Sequence, residues 1–289
     1  MRILRLMGVV IFALSLILFI GYLGCQYAFE DKDVPIISCE SDSITLSTKT
    51  PIEEYLKGVS AYDEKDGDVT KSIVVESVSK MNLDKSRTIT YAAFDADKHV
   101  SKLTRILKYK DYQSPHFGLS KPLVFQVGET NLSMNLTAQD NIDGNLTDKI
   151  KYITNDEEII SKAGKYLVEF QVTNSAGETA FLPATVEFIN FNEQLDIKPI
   201  ITLTHYLIYI KKGSSFEAKD FLKEVDIEGE QYDVSKYASS TTKKGISKDM
   251  ITVSADVNAS ACGVYSVDYK ITTKDGQEGD TKLIVVVEE

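Results

Sequence analysis

The chain has 289 residues, a formal net charge of −11, three cysteines and no tryptophan. So acidic a chain repels a polyanion, which excludes nucleic acid as a partner. Three cysteines, with Cys39 and Cys262 lying 223 residues apart, do not make a disulfide framework; both read as small buried apolar residues.

Residues 6 to 24, LMGVVIFALSLILFIGYLG, form an apolar run preceded by Arg2 and Arg5 and followed by Glu30, Asp31 and Asp33. About 20 such residues span roughly 30 Å of hydrocarbon as one helix. Basic residues before it and acids after it predict a cytoplasmic N-terminus, residues 1–5, with the bulk of the chain outside a cell membrane crossed once by residues 6–29. Two other readings stay open. Leu23-Gly24-Cys25 resembles the end of a bacterial lipobox, which makes Cys25 a candidate lipidation site although Tyr22 stands where leucine is usual; ordinary signal cleavage is the other, although Gly21 to Gly24 is a poor exit.

Beyond the anchor the chain repeats itself. Ala61-Tyr-Asp-Glu-Lys-Asp-Gly-Asp-Val-Thr70 returns as Ala138-Gln-Asp-Asn-Ile-Asp-Gly-Asn-Leu-Thr147, and Gly164-Lys-Tyr-Leu-Val-Glu-Phe170 returns as Gly263-Val-Tyr-Ser-Val-Asp-Tyr269, with Arg87-Thr-Ile-Thr-Tyr91 a weaker copy. Each unit opens on a proline, at Pro35, Pro115 and Pro199. The spacing predicts three tandem modules, at 34–110, 114–190 and 197–289. Inside each, apolar residues alternate with polar ones, as in Tyr166, Val168, Phe170 and Val172 or Tyr265, Val267, Tyr269 and Ile271. Period two predicts half-buried strands, which need a second sheet to cover them, and so an all-β chain of antiparallel sandwiches behind one transmembrane helix.

Thr50-Pro-Ile-Glu53 reads as a capping box starting a short helical turn that carries Tyr55 and Leu56 into the core, and Phe221-Leu222 repeats the apolar pair with Ser215 as its cap. His205-Tyr-Leu-Ile-Tyr-Ile210 reads as a strand buried on both faces. The segments at 109–115 and 190–199 are short and poor in glycine and serine, which predicts limited bending between modules.

These marks resemble those of bacterial surface-protein immunoglobulin-like repeats, the type also seen in a pesticidal crystal protein and akin to hyalin repeats. The resemblance rests on Asp63, Asp66, Gly67, Asp68, Val69 and Thr70 in the first module, with Arg87 in place of the tyrosine and Asp95-Ala-Asp97 in the later turn. In the second it rests on Asp140, Asp143, Gly144, Asn145, Leu146, Thr147, Gly164, Tyr166 and Gly177, with Asn174 replacing the turn aspartate. In the third the loop decays to Asp226-Ile-Glu-Gly229, and about 20 extra residues precede Gly263. The resemblance implies tandem Ig-like sandwiches and says little about a ligand.

The acidic loops are the sole constellation with chemistry to weigh. Asp63, Asp66 and Asp68, joined by Asp95 and Asp97 if that turn lies near, offer hard oxygens to Ca²⁺, and Asp140 and Asp143 are the weaker second set. The alternative is a solvated turn in which Gly67 and Gly144 take positive φ and the aspartates bond their own backbone. No catalytic constellation is evident: His99, His116 and His205 fall in separate modules, and no nucleophile elbow, zinc helix or phosphate loop occurs, so the chain is expected not to be an enzyme and to hold no cofactor beyond that candidate calcium. Two functions follow. One is a stalk, adhesion or display structure, projecting some 100 Å if sandwiches of roughly 35 to 40 Å stack end to end. The other is a carbohydrate or cell-wall binding module. Beside the membrane itself, the expected partner is an unidentified surface protein or glycan, and exposed tyrosines clustered on one module would favour the second.

Overall fold

A computed structural model describes residues 2–28, 33–154, 161–190, 198–234 and 250–289. Glu30 and Asp31, most of the second linker (191–197) and much of the insertion in the third module (235–249) lie outside the described residues. The chain divides into two compact units, Met1–Lys110 and Asp111–Glu289.

The first unit begins with a helix, Arg2–Ala28, in which Arg5–Cys25 is long and apolar enough to cross a membrane. Cys25 lies within that helix and is exposed. A sandwich follows. Its smaller sheet pairs Ile36–Cys39 with Val59–Asp63 and the two-residue strand Gly67–Asp68. The larger orders Ser43–Leu46, Val100–Tyr109, Ser86–Phe94 and Val74–Val78, with the first of these running parallel to the second. Ile89, Tyr91 and Ala93 alternate inward with no exposed surface and meet Tyr55, Val59 and Ala61.

The second unit repeats this plan twice. One sandwich sets His116–Leu119, Leu136–Asp140 and Gly144–Asn145 against Lys151–Ile153, Gly164–Thr173, Thr179–Ile189 and Val124–Gln126, the last parallel to its neighbour. The other sets Ile200–Leu203, Leu222–Ile227 and Glu230–Asp233 against Leu207–Lys211, Glu278–Glu288, Gly263–Thr272 and Ile251–Ala255. In all three the opening proline stands one residue before the first strand. The second strand crosses to the other sheet and runs parallel to its last strand, as in immunoglobulin-like sandwiches.

The glycine-x-tyrosine repeat has a local cause. A Cβ on Gly164 would meet the Tyr166 ring at 3.3 Å, and one on Gly263 the Tyr265 ring at 3.5 Å. Each ring folds back over its glycine and donates its hydroxyl to a carbonyl four residues upstream, Lys162 O at 3.1 Å and Ala261 O at 3.0 Å. In the first sandwich Arg87 takes this place, and its guanidinium donates to Ser79 O and Val78 O. Four residues further along the same strands, Tyr91 and Tyr269 are buried and each donates to a carbonyl of a short helical turn, Tyr55 O and Ala218 O, at 2.7 Å. The second sandwich has Phe170 here.

The capping box does not form. Pro51, not Thr50, is the N-cap residue, and the turn Ile52–Leu56 is a 3₁₀ helix without a side-chain cap. Thr50 Oγ1 is instead the acceptor for Ser47 N at 3.0 Å, because the chain turns back before the helix starts. Tyr55 is nevertheless buried and Leu56 packs on the core. In the third module Glu217, not Ser215, caps the turn Ala218–Phe221. The cysteines are free, Cys39 half-buried and Cys262 exposed, so the reading of Cys262 as a core residue was wrong: it stands just before the strand Gly263–Thr272 and donates to Glu289.

The strand starts at Leu207 and leaves His205 outside it and exposed; over Leu207–Lys211, Leu207 is buried and Ile208, Tyr209 and Ile210 are half-buried, covered on both faces but not by their own sandwich alone. Ile208 and Ile210 pack on the third module's core, while Leu207 and Tyr209 belong to the core of the second, together with Ile284, Val264 and Val286. Register places Leu207 beside Ile284, and Tyr209 beside Val286, which in turn faces Val264. The outer face of the third module's large sheet thus seals the second sandwich. Phe117 N donates to the Tyr209 hydroxyl at 2.8 Å, and the His116 ring meets the Tyr209 ring edge-on at 4.3 Å. Burial pushes the Tyr209 phenol up to about 12.

Candidate functional site: the acidic turns

Each residue of the repeated loop has a structural task. Asp63 Oδ1 accepts the N–H groups of Lys65 and Asp66, both at 2.9 Å, and Asp140 Oδ1 accepts those of Ile142 and Asp143. Gly67 and Gly144 then take φ of 75° and 78°, where a side chain would be strained. Asp68 and Asn145 accept the N–H of Thr70 and Thr147 at 2.9 Å, starting a 3₁₀ turn. Those threonines accept in their turn from Ala61 N and Ala138 N, pinning the loop to the strand that precedes it. Val69 and Leu146 point into the cores.

The later hairpin turn does lie beside the loop. Asp66 Oδ2 accepts Ala96 N at 2.7 Å, and Asp143 accepts Ser175 N and its hydroxyl. Lys65 pairs with Asp97, and Lys149 with Asp143 at 3.1 Å. In all three modules the first residue of that hairpin caps the N–H four residues on: Asp95 to His99, Asn174 to Glu178, Thr273 to Gln277. Asp95 and Asn174 are legible as equivalent turn residues, whereas Thr273 is hidden because a third residue type performs the cap there.

The modules differ at one atom pair. Asn174 Nδ2 donates to Asp140 Oδ2 at 2.8 Å. In the first module Asp95 stands where Asn174 does, a carboxylate cannot donate, and Asp63 Oδ2 is buried without a hydrogen-bond partner in a residue only 1% exposed. Asp95 is bonded instead to the His99 ring at 2.7 Å. Burial raises its carboxyl, and the His99 backbone N–H and ring outweigh that, leaving it below the usual range. Asp68 is lowered by Thr70, and Asp143 by Ser175 and Lys149 against its burial. Most placed oxygens of Asp63, Asp66, Asp68, Asp140 and Asp143 therefore act as acceptors within the turns. Among the described residues no three His, Cys, Asp or Glu side chains converge closely enough to hold a metal ion.

The second module's turn also grips the segment before it. Asn174 Nδ2 donates to the Tyr112 hydroxyl at 3.0 Å, Tyr112 and Ser114 donate to Glu178, and Gln113 N to Asn141 Oδ1 at 3.0 Å. Residues 112–114 are thereby tied to the second module.

Between the second and third sandwiches lies a cleft of about 720 Å³, with Leu119, Val124 and Ile200 among its apolar walls and Lys165 at a polar edge, bonded to Asp280 at 3.0 Å.

No family model matches the chain. It is similar to an uncharacterized 81.3 kDa protein of Acholeplasma phage L2, 24% identical over 216 residues, covering 75% of this chain and 26% of that protein. It is similar also to the pesticidal crystal protein Cry22Aa of Bacillus thuringiensis, 23% identical over 235 residues, covering 78% of this chain and 29% of that one. The chain thus spans between a quarter and a third of these relatives. Among solved structures it matches the M60 catalytic domain with the CBM51-1 and CBM51-2 domains of Clostridium perfringens ZmpB (12% identity, 88% of this chain and 30% of that one, TM-score 0.23). It also matches mouse cadherin-23 EC22-24 (11% identity, 89% and 99%, TM-score 0.20). What the sequence comparison supports is a weak relationship to Cry22Aa.

Proposed function

We propose that this chain is a bacterial cell-surface protein, held by an uncleaved N-terminal helix, whose Ig-like modules form a non-catalytic stalk, adhesion or display structure. The observation that carries this reading is the helix itself: Arg5–Cys25 has a mean hydropathy of 2.6 and none of it is buried. A helix so apolar finds its solvent in a bilayer. Acidic turns whose oxygens are taken up by hydrogen bonds within the turns, as in the first and second sandwiches, suit a spacer. In this reading the bilayer is the proximal partner and a surface protein or glycan the distal one. Exposed tyrosines beyond the helix, Tyr62 and Tyr152, sit on different sandwiches among the described residues, so no cluster of exposed tyrosines favours the carbohydrate alternative.

The test is fractionation of a bacterial host expressing the full chain. Retention in membranes after an alkaline wash, with peptides from residues 1–5 still attached, is the expected result, together with loss of the sandwiches when protease is added outside. A released chain beginning after Gly24 would sink the anchor, and a lipidated Cys25 would replace it with a lipid tether.

A further inference from the structure

The strand that follows the membrane-length helix turns apolar side chains outward. Ile36 and Tyr62 are direct cross-strand partners, 69% and 60% exposed, and Val34, two residues upstream, is 52% exposed. The same pair position is different in the other modules. In the second it is His116 beside Gln139, where His116 is covered by Tyr209 and bonds Glu288; in the third it is Ile200 beside Asp226. Only the module next to the helix combines an aliphatic and an aromatic side chain there.

Chain length names the surface within reach. From Ala28, the last helical residue, to Val34 is six residues, at most about 20 Å of extended chain, while the headgroup zone is itself several Å deep. Tyrosine favours that zone, where its ring meets hydrocarbon and its hydroxyl meets water. The charge nearby selects the lipid. Glu64, Asp66 and Asp68 lie within six residues of Tyr62 and are exposed, and the lysine among them, Lys65, is paired with Asp97, so an anionic surface repels this end and a zwitterionic one accepts it.

We infer that Val34, Ile36 and Tyr62 rest on the headgroup zone of the bilayer that holds the helix, so that the first sandwich is seated on the membrane instead of swinging from it. This rests on the anchor reading, and the two are separable by experiment. The chain has no tryptophan, so a single introduced one reports its own depth. The full chain carrying Tyr62→Trp is reconstituted in phosphatidylcholine vesicles, with bromines placed on the lipid chains either near the headgroup or near the chain ends. Shallow bromines should quench the emission about twofold, and replacing about a third of the lipid by phosphatidylglycerol should reduce the quenching. Adding Ile36→Asp should abolish it while leaving the circular dichroism of the sheets unchanged.

Phe12→Trp, tested alone, reports the helix and should be quenched by the deep bromines. Quenching at 12 with water-like, unquenched emission at 62 overturns the seating while the anchor stands; no quenching at 12 overturns the anchor and with it the seating. Blue-shifted emission at 62 that no bromine quenches, and that becomes water-like on tenfold dilution of protein in lipid, would assign the strip to a second copy of the chain and overturn the seating as well.

Discussion

The first sandwich seals one face of each of its sheets, whereas the large sheet of the third module is sealed on both. In the first, the last strand reads Val100-Ser-Lys-Leu-Thr-Arg-Ile-Leu-Lys-Tyr109, mixing polar residues throughout its length. In the third, Leu283-Ile-Val-Val-Val287 is apolar without a break, since Leu283, Val285 and Val287 fill its own core and Ile284 and Val286 cover the second sandwich. An unbroken apolar strand is therefore the mark of a joint between modules. It also means that the second and third modules meet through a sheet face.

The comparison is broken most directly at Leu207. Leu207→Ala should cost about 2–4 kcal/mol, lowering a single melting transition shared by the second and third modules and leaving that of the first unchanged in calorimetry of the full chain. Two separate transitions for residues 111–289 would show that the joint is not cooperative.

A smaller effect contrasts the buried tyrosines. Tyr91→Phe and Tyr269→Phe each strip a hydroxyl from a helical-turn carbonyl and should cost about 1–2 kcal/mol. The first should lower only the transition of the first module, the second only that of the joined pair. The acidic turns offer a change of opposite sign. Asp95→Asn gives the first module the amide that Asn174 supplies in the second, and should raise the stability of the first by about 1 kcal/mol by satisfying Asp63 Oδ2. A loss measured in denaturant titration would mean that the Asp95–His99 bond outweighs the buried orphan.

The smallest effect is the acid limb. Asp68, Asp95 and Asp143 all titrate below the usual carboxylate range in the folded state. Their ionised forms stabilise the fold above the unfolded value near pH 3.9, and that contribution is lost as pH falls through the lower folded values. Stability followed by circular dichroism should stay level down to about pH 4 and decline below it, with a weaker decline in the Asp143→Asn variant.

Much of the architecture was legible. Prolines at 35, 115 and 199, period-two runs and the repeated Asp-x-x-Asp-Gly loop depend on local chemistry, and the strands, positive-φ glycines and buried Tyr55 stand where that chemistry puts them. The loop itself was only half legible. Its aspartates were visible as oxygen donors, but whether those oxygens face an ion or a backbone depends on the neighbouring turn at Asp95–His99 or Asn174–Glu178, some 30 residues away in sequence. Thr50 misled for a local reason: the Ser47 N–H, three residues before it, takes its hydroxyl as acceptor.

By itself the sequence determined the membrane-length helix and the repeating strands, because apolar length, strand period and turn chemistry are set by residues close together along the chain. Only tertiary structure decided which carboxylates were satisfied and which apolar strand became a joint. Those outcomes depend on what a distant segment brings to the same place: an amide at Asn174 where Asp95 brings none, and a second core beneath Leu207 and Ile284.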